Sequence, residues 1–159
     1  MGKINMGRWI LGGVVAGIVV NLLGYVVDGL MLAPRWAVNM SRLGRPAFTS
    51  SQMVWFNVIG IGLGLLAVWV YAAIRPRFGA GMRTAICAGI AVWVATSLLP
   101  NATLMWATGL FNNHLTLYTT AGALIELVVG TVAGAALYRE ESVAEAGAAA
   151  TPRPQTARA

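Results

Sequence analysis

The sequence predicts an all-α fold, a four-helix transmembrane bundle arranged as two hairpins, with a short amphipathic surface segment after the first span. Three observations lead there. The 159 residues are 58% apolar and only 10% charged, with a mean hydropathy of +0.71, which is too apolar a balance for a water-solvated domain. Four apolar runs each approach the roughly 20 residues needed to cross a hydrocarbon core of about 30 Å. The basic residues gather at the ends of those runs instead of clustering on one element, so they read as topology signals and not as a nucleic-acid surface.

The first span is expected over about 8–32. Lys3 and Arg8 precede it as they would a secretory signal, but the apolar run is too long and no Ala-x-Ala site follows, so it reads as an uncleaved anchor. Next comes "PRWAVNMSRLGRP", expected as a helix lying on the membrane surface with Trp36, Met40 and Leu43 toward the bilayer. The second span is expected over about 52–74 and the third over about 82–104, joined by the tight turn "RPRFGAGMR". A fourth span over about 117–138 completes a transmembrane domain at 1–138, and an Ala/Pro-rich, flexible cytoplasmic tail is expected over 139–159. Trp9, Trp36, Trp55 and Trp106 fall near span ends, where amphipathic rings settle at headgroup level.

Lys3, Arg8, Arg75, Arg77, Arg83 and Arg139 share one side if both termini are cytoplasmic. Arg35, Arg42 and Arg45 then lie outside, against the rule, while the uncharged connection "ATGLFNNHLT" agrees with it. High Ala, Gly and Arg content points to a bacterial source and hence to the bacterial cytoplasmic (inner) membrane.

Small residues let helices approach closely in lipid, where no hydrophobic force drives them together. Gly13/Gly17, Gly60/Gly64 and Gly130/Gly134 carry the four-residue spacing and are expected to be helix-packing positions. At helical periodicity Gly13, Gly17, Asn21, Gly24 and Asp28 form one stripe; Asn57, Gly60, Gly64, Ala67 and Tyr71 a second; Gly122, Glu126, Gly130 and Gly134 a third. All the polar members are therefore expected to face helix neighbours.

Glu126, Asn21, Asp28 and Asn57 make a candidate intramembrane polar or proton site in the outer half of the bundle. A carboxyl in low dielectric either pairs with a cation or takes up a proton. No Lys or Arg is expected at the depth of Glu126, so it is read as neutral and hydrogen-bonded to Asn21 or a hydroxyl, serving as interhelical glue or as a proton or cation site. Asp28 is expected to pair at the interface with Arg35, Arg42 or Arg45. Cys87, the single cysteine, reads as a small buried hydrophobe. One histidine, His114, supports neither a bis-histidine haem nor a metal centre, and no phosphate-binding loop, nucleophile motif or zinc motif is present. No cofactor, metal or enzymatic activity is expected.

The passage from the first span through "GYVVDGLMLAPRWAVNMSRLG" into a surface segment, with a last span reading "TTAGALIELVVGTVAGAALY", resembles small bacterial four-span membrane proteins of a family of unknown function. The resemblance extends over about residues 8–139 and implies the fold without an activity. From the residues themselves, the first expectation is a non-enzymatic accessory subunit that binds other membrane subunits or itself. The alternative is a small proton- or cation-coupled transporter or channel using Glu126.

Overall fold

The computed structural model describes residues 4–46, 48–109 and 113–139, with the side chain of Trp106 excepted. The tail over 140–159 lies outside the described residues. Within them the chain is all-α. Four helices are long and apolar enough to cross a membrane: α1 (Met6–Met31), α3 (Ser50–Phe78), α4 (Met82–Met105) and α5 (Asn113–Leu137). A short helix, α2 (Ala33–Arg42), follows α1 at one end of the bundle.

Local chemistry sets the helix ends. Asn5 caps α1 by accepting from the Arg8 N–H at 3.0 Å. At α3, Thr49 accepts from the Gln52 N–H while the Gln52 side chain accepts from the Thr49 N–H, a reciprocal capping box. That helix was expected to stop near residue 74 but runs through Pro76 to Phe78. Proline there costs only one bond of the last turn, and Gly79, at φ 82°, ends the helix by donating its N–H to the Arg75 carbonyl at 2.9 Å. The last span was expected from 117; α5 begins at Asn113, and Leu115 and Thr116 in its first turn are already buried.

Two of the spans change their helical winding on the way through. Past Gly24, α1 continues as a π-helix over Tyr25–Met31, closed by Leu32 N–H donating five residues back to Val27 O at 2.9 Å. In α4 a π turn occupies Val94–Leu98, and a second, Thr103–Ala107, carries the winding just past Met105. The first of these has a visible cause, since Pro100 has no N–H to give the carbonyl four residues before it and the turn ahead of it widens.

The four spans close into a bundle in which α1 packs on α3 and α5, and α4 on the same two helices from the other side. The half near the α3–α4 turn is filled by Ala16, Val68, Tyr71, Ala72, Ala85, Ala88, Ala135 and Tyr138. Tyr71 and Tyr138 meet edge to face with centroids 6.0 Å apart, and Arg75 lies over the Tyr138 ring at 5.6 Å. Thr84 Oγ1 donates to the Gly79 carbonyl at 2.8 Å and ties the turn to α4. A second cluster of Val20, Ala67, Val92 and Leu127 continues the core toward the other half. Cys87 does not belong to it. The inward face of α4 is Thr84, Ala85, Ala88, Gly89 and Val92, which leaves Cys87 on the opposite, exposed face and corrects its expected burial.

The closest helix approaches are made where glycine removes a side chain. A Cβ on Gly64 would run into the backbone of α1, meeting Gly17 N, and Gly13 O and Gly17 Cα at 2.5 Å. A Cβ on Gly134 would strike Gly12 O, and one on Gly130 would lie 2.9 Å from Ala16 O. Gly12, which the spacing rule passed over, is thus the α1 partner of Gly134. On α4, a Cβ on Gly89 would lie 2.9 Å from Val128 Cα of α5.

Candidate functional site

Polar groups concentrate at the end of the bundle that carries α2. Glu126 sits on α5, 13 residues past Asn113 and hence about 20 Å along the axis from the helix start. Only 8% of it is exposed. Its carboxyl occupies the space left by two missing side chains: a Cβ on Gly24 of α1 would lie 3.4 Å from Oε2, and one on Gly122, a turn earlier in α5, 3.5 Å from Oε1. Oε1 has no hydrogen-bond partner, and no ion pair joins Glu126 to any described residue.

The expected bond from Asn21 to Glu126 is not made. Asn21 Nδ2 donates instead to the backbone carbonyl of Asn57 on α3 at 3.0 Å, and its Oδ1 packs directly over Gly60. The reason is geometric. Gly13, Gly17 and Asn21 face α3, against Leu65, Ile61 and Gly60, whereas Gly24 faces α5. One stripe on the helical wheel therefore serves two neighbours, and the carboxyl and the amide fall in different grooves.

Asn57 also departs from its expected place. Its neighbours on the stripe, Gly60, Gly64, Ala67 and Tyr71, are buried, but Asn57 itself is exposed. Its Nδ2 turns back to its own helix and donates to Met53 O at 2.8 Å. The candidate site of four polar residues thus separates into an interior carboxyl, Glu126, and an edge pair, Asn21 and Asn57.

Asp28 lies in the π-helical part of α1, half-buried, and is an electrostatic neighbour of Glu126. It was expected to pair with Arg35, Arg42 or Arg45. The indole of Trp36 takes that place, donating Nε1–H to Asp28 Oδ1 at 3.1 Å. Arg35 is turned the other way by α2 and lies over the ring of Tyr118 on α5, 4.4 Å from its centroid. His114, expected in a loop, is an exposed residue in the first turn of α5. Among the described residues no group of three His, Cys, Asp or Glu side chains could hold a metal ion.

Sequence reasoning did not find three further polar contacts. Trp93 Nε1 donates to Thr120 O at 2.8 Å, and Asn101 Nδ2 donates to Thr120 Oγ1 at 2.8 Å, which joins the π-wound part of α4 to α5. Trp9 Nε1 donates to Leu65 O at 2.9 Å across the α1–α3 groove. Each uses a backbone carbonyl or a hydroxyl that has no sequence signature.

Fold and site together define a multi-pass helical membrane protein with a dry half and a polar half. No family model, curated protein or solved structure matches the chain. Its function is therefore argued from its own geometry.

Proposed function

We propose that this protein is a non-enzymatic accessory subunit of a bacterial membrane complex, held in the cytoplasmic membrane with both termini cytoplasmic, and that it docks a helix of another membrane subunit along the Asn21–Asn57 edge. The carrying observation is the exposure of Asn57. It lies seven residues inside α3, about 10 Å from the helix start, so its amide faces outward within the span. Polar side chains at such depth are costly against lipid and favourable against another helix that hydrogen-bonds them. Asn21 does not bond the Asn57 amide: its Nδ2 donates to the Asn57 backbone carbonyl, its Oδ1 packs over Gly60, and the Asn57 amide reaches only Met53 O of its own helix. Val54, one turn before Asn57 on the same face, and Val58, beside it along the helix, are large, apolar and exposed, as a helix-packing surface requires.

A second reading, transport of a proton or cation through Glu126, draws on the buried, unpartnered Oε1. A transport site needs access from both sides of the membrane. Ala16, Val68, Ala72, Ala85 and Ala88 are at most 3% exposed and pack the half of the bundle below the carboxyl. That packing favours the accessory reading.

The test places a photoreactive benzoylphenylalanine at Val54, one turn before Asn57 on the same face, and at Ile125 on α5, which is exposed to a similar degree. In native membranes Val54 should give a defined adduct with another membrane protein, Ile125 should not, and Asn57→Leu should abolish the adduct without loss of folded protein. A self-adduct identifies the partner as a second copy. Equal yields from both positions, or none from Val54, overturn the reading.

A further inference from the structure

At one end of the bundle, α2 and the first turns of α5 frame a half-open cavity of about 480 Å³, within the range of roughly 300–1,000 Å³ that ligand sites occupy. Arg35, Arg42 and His114 line it together with Asn39 and Tyr118, and among the described residues no carboxylate does. We infer that this cavity binds a phosphate group, held by the guanidinium groups of Arg35 and Arg42 and by the amide of Asn39.

Three features of the site point to an anion. Arginine presents its N–H donors in a fixed planar fork that matches phosphate oxygens, and two arginines line this cavity. Arg35 is held by the Tyr118 ring, 4.4 Å from its guanidinium carbon, so part of the ordering is done before a ligand arrives. Asn39 supplies the most telling feature. It is the one buried residue of α2, 5% exposed, and its Nδ2 donor has no hydrogen-bond partner. Buried amide donors are nearly always satisfied, and a turn of the Asn39 side chain toward the cavity that the residue lines would give its donor an oxyanion as acceptor.

Position decides between the two sources of such a group. The cavity opens beside an amphipathic helix at the end of the spans, where headgroups lie, and Leu30 and Met31, at the end of α1, are exposed nearby in sequence to receive acyl chains. A phospholipid headgroup is the ligand this arrangement favours over free phosphate. The inference is independent of the docking edge on α3.

Detergent-purified protein is titrated with short-chain phosphatidylglycerol, glycerol phosphate, inorganic phosphate and diacylglycerol, with binding read by native mass spectrometry and by thermal stabilisation. Phosphatidylglycerol should bind saturably and diacylglycerol should not. Arg35→Gln with Arg42→Gln should weaken binding by roughly tenfold or more, the scale of losing charge-assisted bonds. Arg45→Gln, on the same segment but outside the cavity lining, should leave it unchanged. Asn39→Asp, close in shape but bringing a negative charge, should abolish it while the protein elutes and melts as folded. Glycerol phosphate or inorganic phosphate binding as tightly as the lipid assigns the site to a soluble phosphate. Binding that is equal for diacylglycerol, or reduced equally by Arg45→Gln, overturns the inference.

Discussion

Two glycines one turn-half apart on α3 offer a direct measure of how the bundle is held. Gly64 is buried against α1, and a Cβ there meets the backbone of Gly13 and Gly17; Gly62 is exposed, with nothing within 4 Å of the same atom. Alanine is the better helix former by about 0.8–1.0 kcal/mol, and that gain applies equally at both positions. It cancels in the comparison. What remains is the clash at Gly64, where the obstacle is backbone and cannot be relieved by a rotamer change. Overpacking of this kind costs about 1–3 kcal/mol. Gly62→Ala should therefore be stabilising by up to about 1 kcal/mol, and Gly64→Ala should lie about 1–3 kcal/mol below it. Equilibrium unfolding in mixed micelles, with increasing sodium dodecyl sulfate and helicity as the signal, reads both values against the parent protein. Equal stability of the two variants would refute the close α1–α3 approach.

Three other outcomes follow. Glu126→Gln should fold and assemble with a stability change below about 1 kcal/mol, because the carboxyl is held by packing and has no paired cation; a loss of 3–5 kcal/mol would instead mark a broken buried ion pair. The same variant in liposomes separates the two functional readings, since loss of proton flux with the fold intact belongs to transport alone. Trp36→Phe removes the donor to Asp28 Oδ1 and should lower stability by about 0.5–1.5 kcal/mol, or more if the half-buried carboxylate finds no replacement; no change would mean that the 3.1 Å contact is not a bond that matters. In a Cys87→Ser background, Arg45→Cys should be labelled from outside intact cells by an impermeant maleimide and Ala80→Cys only after permeabilisation, and the reverse pattern would invert the topology.

The architecture was legible because its causes are local and repeated. Apolar runs of bilayer length and arginines at their ends sufficed to place four helices and the surface segment. The packing glycines were legible for a similar reason, since Gly17, Gly60, Gly64, Gly130 and Gly134 all lie where helices approach closely. Neighbour identity was not. Gly12 and Gly13 are adjacent in sequence, yet Gly13 meets Leu65 of α3 and Gly12 meets Gly134 of α5. A helical wheel gives the direction of a side chain and is silent about which helix stands there. The grouping of Asn21 with Glu126 failed on that point, and the assignment of Asn57 to the interior failed because a stripe can pass from buried to exposed within one turn.

The π turns bear on why the polar half is built as it is. An i→i+5 turn adds a residue to the winding and rotates everything beyond it relative to an α-helix. In α1 the change begins at Tyr25, directly after Gly24 has given the Glu126 carboxyl its space, and it carries Asp28 toward Trp36 of α2. In α4 it comes at Val94–Leu98, within the stretch that links Trp93 and Asn101 to Thr120 of α5. Both departures from regular winding therefore flank the helix that carries Glu126, and both lie on the side of the bundle where α2 stands. The other half keeps regular α-helix and small-residue packing throughout, with Ala16, Val68 and Ala88 fully buried. Regular winding gives the tightest apolar contact, whereas altered winding brings side chains to places that a 3.6-residue period cannot reach. Division of the molecule into a dry support and a polar head at the α2 end follows from that difference.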